Sequence, residues 1–159
     1  MKPVQNIAVL AALLLVAGAL QQSLAHRVSE WFRPDFLLVA LAAYGLCATR
    51  SQGATGGFLA GVVHGGLAGA NLTHYAISRC VAGFLTSWSR GLNLGESPWL
   101  VGVAGALCTL VAQTALMFLA APPDIPRYLG ATIGTAVVDG ALVVPTYAAT
   151  KRLLAGTNR

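Results

Sequence analysis

The stretch "GATGGFLAGVVHGGLAG", residues 53–69, places a glycine at every fourth position: Gly53, Gly57, Gly61, Gly65 and Gly69. In water each glycine costs a helix about 1 kcal/mol relative to alanine. Five in register therefore need a reason other than helix propensity. Inside lipid no hydrophobic drive brings helices together, so small residues that let two backbones approach supply the attraction. An i, i+4 row follows one ridge of the helix and suits right-handed crossings near about −40°. The row reads as a packing ridge, directed at a helix of the same chain or of a partner. Gly130 and Gly134 repeat the device further on, and Gly105 with Thr109 offers a weaker version between them.

Composition leads to the same solvent. The 159 residues are 56% hydrophobic and 9% charged, with a mean hydropathy of +0.69. A soluble domain carries roughly 25% charged residues, so this chain lacks the polar side chains to coat a water-facing surface. The expectation is an all-α, polytopic membrane protein of a single domain covering residues 1–159. The net charge of +5 comes from ten basic residues against five acidic ones, the basic residues dispersed along the chain with just Lys151 and Arg152 adjacent. That spacing argues against a nucleic-acid partner and for charges that report orientation.

Spans are expected over residues 3–24, 35–49, 53–70, 71–88, 99–121 and 128–149, about six helices in all. The second is short, so it either extends back through "SEWF" or lies within the bundle. "HRVSEWFRP" brings charge, an interfacial Trp31 and a helix-start Pro34. "SRGLNLGESP" is a polar break with turn residues Gly91, Asn93, Gly95 and Pro98. "PPDIPR" reads as a loop because proline interrupts a helix interior. The N-terminal segment, with Lys2 and a small-residue site at Ser23, Leu24 and Ala25, is read as a retained first helix rather than a cleaved signal.

Six spans put Lys2, Arg50, Arg90, Lys151, Arg152 and Arg159 on one side and Arg27, Arg33 and Arg127 on the other. The positive-inside rule then places both termini in the cytoplasm.

The polar residues at membrane depth are His64, Asn71, His74, Arg79, Gln113 and Asp139. Arg79 and Asp139 fall near the middle of their spans, where each costs about 2.5–3.5 kcal/mol on insertion scales. Opposite in charge and similar in depth, they are expected to pair, directly or through Asn71, His74 or Gln113. His64 flanks the glycine ridge and reads as a hydrogen-bonded interior histidine. Cys47, Cys80 and Cys108 stand singly among apolar neighbours and read as small hydrophobes. No metal site, cofactor site or catalytic residue is expected, and none of the common hydrolase, metalloprotease or nucleotide-binding motifs is present.

The order of features resembles the bacterial rod shape-determining family MreD. "RPDFLLVALAAYGL" followed by "GGFLAGVVHGGLAGANLTHYAISRCVAGFL" carries most of the likeness. Pro34 and Asp35 match the family's helix start, Gly57, Phe58 and Gly61 the next element, and Ala76, Gly83 and Phe84 the third. "VVDGALVVPTYAATKRLL" is similar to its last helix, with Asp139 where an asparagine usually stands and Pro145 and Lys151–Arg152 following. The family's acidic third-helix residue is replaced by Gly65, its fourth-helix histidine by Tyr75 and a glycine there by Thr73.

The resemblance implies a fold similar to the S component of energy-coupling-factor transporters. It also implies a non-enzymatic subunit of the cell-elongation machinery in the inner membrane. The implied partners are an MreC-like bitopic protein, MreB filaments through it, the RodA–penicillin-binding-protein synthase of peptidoglycan, and the lipid bilayer. The alternative, from the shared fold, is an S-component-like subunit that binds a small molecule such as a vitamin.

Overall fold

The computed structural model describes residues 3–24, 27–92 and 97–156. Lys2 and Arg159 of the charge count, Ala25 of the cleavage site, and Asn93 and Gly95 of the polar break lie outside them. Six α-helices follow in order: α1 (Pro3–Ser23), α2 (Phe36–Gly45), α3 (Arg50–Ala68), α4 (Leu72–Trp88), α5 (Pro98–Leu119) and α6 (Ile125–Gly156), with 3-10 turns at Glu30–Phe32 and Ser89–Leu92. No strand occurs among the described residues. Two helices, Pro98–Leu119 and Ile125–Ala155, are long and apolar enough to cross a membrane.

α2 is the axis of the bundle. Its ten residues reach only about 15 Å at 1.5 Å per residue, and Leu37 through Gly45 are all buried. The other five helices pack around it. A run as apolar as "FLLVALAAYG" has no polar face to turn outward, so the short second span lies within the bundle. α1 leans on this axis with a stripe of Leu10, Leu14, Ala17 and Gln21, the i, i+4, i+7 spacing of one helix face. Gln21 Oε1 accepts from the Phe36 N–H at 2.9 Å, tying the end of α1 to the start of α2.

The glycine row is the seam between α3 and α4. A methyl group on Gly57 would land on the Arg79 carbonyl, one on Gly61 on the Tyr75 carbonyl, and one on Gly53 on Gly83 and Ser87. Gly65 is slightly looser, with Leu72 Cα at 3.0 Å from such a methyl. The ridge thus faces a helix of its own chain. Gly69 does not belong to it. A methyl there meets nothing within 4 Å, and its φ of 60° makes it the left-handed residue that ends α3, a position glycine fills without a Cβ penalty. Asn71 then caps α4 by accepting from the Thr73 N–H.

Gly130 and Gly134 receive the 3-10 turn rather than a helix: the Trp31 ring lies on the first and the Trp31 carbonyl on the second. The α5–α6 seam is built by Gly102, Gly105 and Gly140, of which only Gly105 had been read as a packing position.

The stretch "PPDIPR" is a loop only as far as Asp124. α6 begins at Ile125, with Pro126 in its first turn, where the missing N–H has no intrahelical partner to lose. Asp124 caps it by accepting from the Arg127 N–H at 3.0 Å. α3 likewise starts earlier than expected, at Arg50, because Gln52 reaches back to the Thr49 N–H at 3.1 Å. Within α6, Pro145 removes one backbone donor, and the Thr146 hydroxyl donates to the Leu142 carbonyl at 2.8 Å.

Candidate functional site

The N-terminus of α2 is recessed inside the bundle, and this recess gathers the charged residues. Asp35 caps α2 there: its Oδ1 accepts from the Leu38 N–H at 3.1 Å. Its Oδ2 accepts from Arg79 Nη2 at 2.7 Å. Arg79 comes from the middle of α4 and has no solvent exposure, so the pair is a buried one. The expected direct pair between Arg79 and Asp139 does not form.

Asp139, also without exposure, instead accepts twice. Its Oδ1 takes the Asp35 backbone N–H at 2.9 Å and its Oδ2 the Thr109 hydroxyl at 2.7 Å. The reason is geometric. Because α2 is short, the N-cap carboxylate of Asp35 reaches the depth of Arg79, and Asp139 is left to bind the backbone of its rival.

His64 joins from α3. Its Nδ1 lies 2.8 Å from Arg79 Nη2 and 3.5 Å from Asp35 Oδ1. An Nη2 group carries two hydrogens, one for Asp35 and one for His64. The second of these bonds requires the imidazole tautomer with a lone pair at Nδ1. Tyr75 stacks on the His64 ring at 4.8 Å and 19°, and the Arg79 guanidinium carbon lies 4.8 Å from the centre of the Tyr75 ring. Ser78 is at the long limit of a hydrogen bond from Nη1, 3.5 Å. Nε has no protein acceptor.

The network therefore joins α2, α3, α4, α5 and α6 through Asp35, His64, Arg79, Thr109 and Asp139. Each carboxylate oxygen already accepts a hydrogen bond, an arrangement suited to fixing helices against one another. Among the described residues no group of three His, Cys, Asp or Glu side chains is placed to hold a metal. Cys108 is buried, Cys47 and Cys80 are half-buried, and all three are free thiols.

Of the polar residues read from the sequence, His64, Arg79 and Asp139 come together here. Asn71, His74 and Gln113 do not. Asn71 is the exposed α4 cap, and Gln113 Oε1 and its backbone carbonyl both lie within reach of the Tyr128 hydroxyl, at 2.9 and 3.0 Å. His74 lines a cavity of about 250 Å³ with Asn71, Tyr75 and Tyr128, between the start of α4 and the α5–α6 turn. Asp35, Thr109 and Tyr75 were missed as members of the network. The signal for Asp35 was the shortness of its span, which draws a cap residue inward. No family model, curated protein or solved structure matches this chain.

Proposed function

We propose that this chain is a multi-pass membrane protein of about six helices that serves as a non-enzymatic scaffold subunit of the MreD kind. The observation that carries the membrane part is an inverted distribution of polarity. Arg79 and Asp139 are fully buried, whereas Phe118 is 80% exposed, Trp99 77% and Leu15 76%. Large apolar side chains cover the exterior while two charged side chains are shut inside, the pattern expected when lipid is the solvent.

The scaffold part rests on two supports. One is the resemblance of the α2–α4 and α6 sequences to the shape-determining family. The other is the charged cluster, whose carboxylate oxygens are all engaged in hydrogen bonds within the bundle. The implied partners are an MreC-like bitopic protein and the RodA–penicillin-binding-protein synthase, in the bacterial inner membrane with both termini cytoplasmic. The S-component alternative has one observation in its favour, the cavity lined by His74 and Tyr128. At about 250 Å³ it falls below the roughly 300–1,000 Å³ of ordinary ligand pockets, and Tyr75 forms part of its wall.

Affinity purification of the tagged chain from detergent-solubilised membranes tests the choice. Recovery of the bitopic protein and the synthase supports the scaffold, and depletion should round the cells. Recovery of a coupling protein with ATPase subunits would overturn it in favour of the transporter.

A further inference from the structure

A groove of about 430 Å³ runs between α4 and α5 on the outside of the bundle. Its floor is made of small buried residues, Ala82, Ala104 and Cys108, and its rims of the half-exposed Leu85, Leu100 and Leu107. Two hydroxyls along it are turned back into the helix: Thr86 donates to the Ala82 carbonyl at 2.7 Å and Ser89 to the Thr86 carbonyl at 2.6 Å. The groove therefore offers almost purely apolar contact.

One end of the groove is different. Leu85 and Ser89 also line a second open cleft, of about 470 Å³, whose other walls are Arg50, Trp88 and Gly91. The Arg50 guanidinium lies 5.0 Å from the centre of the Trp88 ring, and both side chains are exposed. No carboxylate pairs with Arg50 among the described residues. The two clefts form one continuous amphipathic track with a cation and an aromatic ring at one end.

Length identifies the occupant. From Leu100 to Val111 the groove follows α5 for about 16 Å at 1.5 Å per residue, close to half the hydrocarbon thickness of about 30 Å. That is the depth of one leaflet. Arg50 stands where a phosphate would lie and Trp88 at headgroup level, where tryptophan concentrates.

We propose that this track is a binding site for one anionic glycerophospholipid of the leaflet at the Arg50 end. One acyl chain lies between α4 and α5, and the phosphate rests against Arg50. The inference rests on the membrane reading above and assigns that reading a specific lipid ligand.

The test is native mass spectrometry of the full chain released from nanodiscs of equal parts phosphatidylcholine and phosphatidylglycerol. One retained phosphatidylglycerol per chain is expected, in preference to phosphatidylcholine. Arg50→Gln should reduce that preference about fivefold, the factor one interfacial basic residue contributes, and Arg50→Lys should restore most of it. Ala104→Phe, which fills the floor, should remove the retained lipid of either headgroup. Arg50 is exposed, so its variants test the headgroup contact even if Ala104→Phe fails to fold.

Equal retention of the two lipids, or a preference unchanged in Arg50→Gln, overturns the site while leaving the membrane reading intact. A protein dimer that Ala104→Phe dissociates overturns it in favour of a second copy in the groove. A chain that stays soluble without detergent overturns both.

Discussion

Arg79 of α4 and Asp35 at the head of α2 meet in the bundle interior, Nη2 to Oδ2 at 2.7 Å, with Arg79 wholly shielded from solvent. The pair stands at the centre of a network that reaches five helices. Removing one member of a buried pair leaves an uncompensated charge and costs about 3–5 kcal/mol. Asp35→Asn should therefore lower the thermal unfolding midpoint in detergent sharply, even though asparagine can still cap α2. Asp35→Asn combined with Arg79→Met should recover much of the loss. A double variant whose loss equals the sum of the two single losses would show that the two residues are not coupled.

Asp139 behaves as an acceptor for backbone and hydroxyl rather than as the counter-ion of Arg79. Asparagine can keep both contacts, accepting from the Asp35 N–H and donating to the Thr109 oxygen. Asp139→Asn should stay within about 1 kcal/mol of the parent, whereas Asp139→Leu leaves two buried donors unmet and costs about 1–3 kcal/mol for each. The exchange of Arg79→Asp with Asp139→Arg should rescue nothing, because it reverses a pair that does not exist. Rescue by that exchange would reinstate the direct pairing.

The two ends of legibility are visible in Gly57 and Asp35. The glycine row could be read as a ridge because spacing along one helix is a property of the sequence itself. Whether it faced its own chain or another depended on the short α3–α4 turn at Gly69 and Asn71, which folds the next helix back onto it. Asp35 was seen only as the start of a span. Its depth is set by how far α2 is recessed among five other helices, a tertiary quantity that the short span signals without fixing. Asp139 was identified as buried and polar, but its partner was misassigned for the same reason. The start of α6 was misjudged because three prolines and an aspartate signal a loop, while one of those prolines suits a first helical turn and the aspartate caps it.

Single glycines in α3 and its end should separate into three behaviours. Gly61→Ala places a methyl on the Tyr75 carbonyl and the Ala76 Cα, so α3 and α4 must part and the fold should lose stability. Gly66→Ala meets nothing within 4 Å and should gain up to about 1 kcal/mol from helix propensity. Gly69→Ala also meets nothing, yet it forces alanine into a left-handed conformation at a cost of about 1–2 kcal/mol. Unfolding midpoints of the three purified variants give the order. Equal effects at Gly61 and Gly66 would remove the ridge as an explanation of the seam.

The basic residues define the last expectation. Arg50, Arg90, Lys151 and Arg152 belong to the N-terminus of α3, the 3-10 turn after α4 and the C-terminal end of α6, which six alternating spans would bring to one face. The same alternation would bring Arg27, Arg33 and Arg127 to the opposite face. On the proposed topology the excess of cations would retain the first face in the cytoplasm. Alkaline phosphatase fused after residue 159 should therefore be inactive, and the same enzyme inserted after residue 122 active. Replacing both Lys151 and Arg152 by glutamine narrows the difference between faces and should raise activity of the C-terminal fusion. High activity of the C-terminal fusion in the parent chain would invert the topology and move the Arg50 track to the outer leaflet.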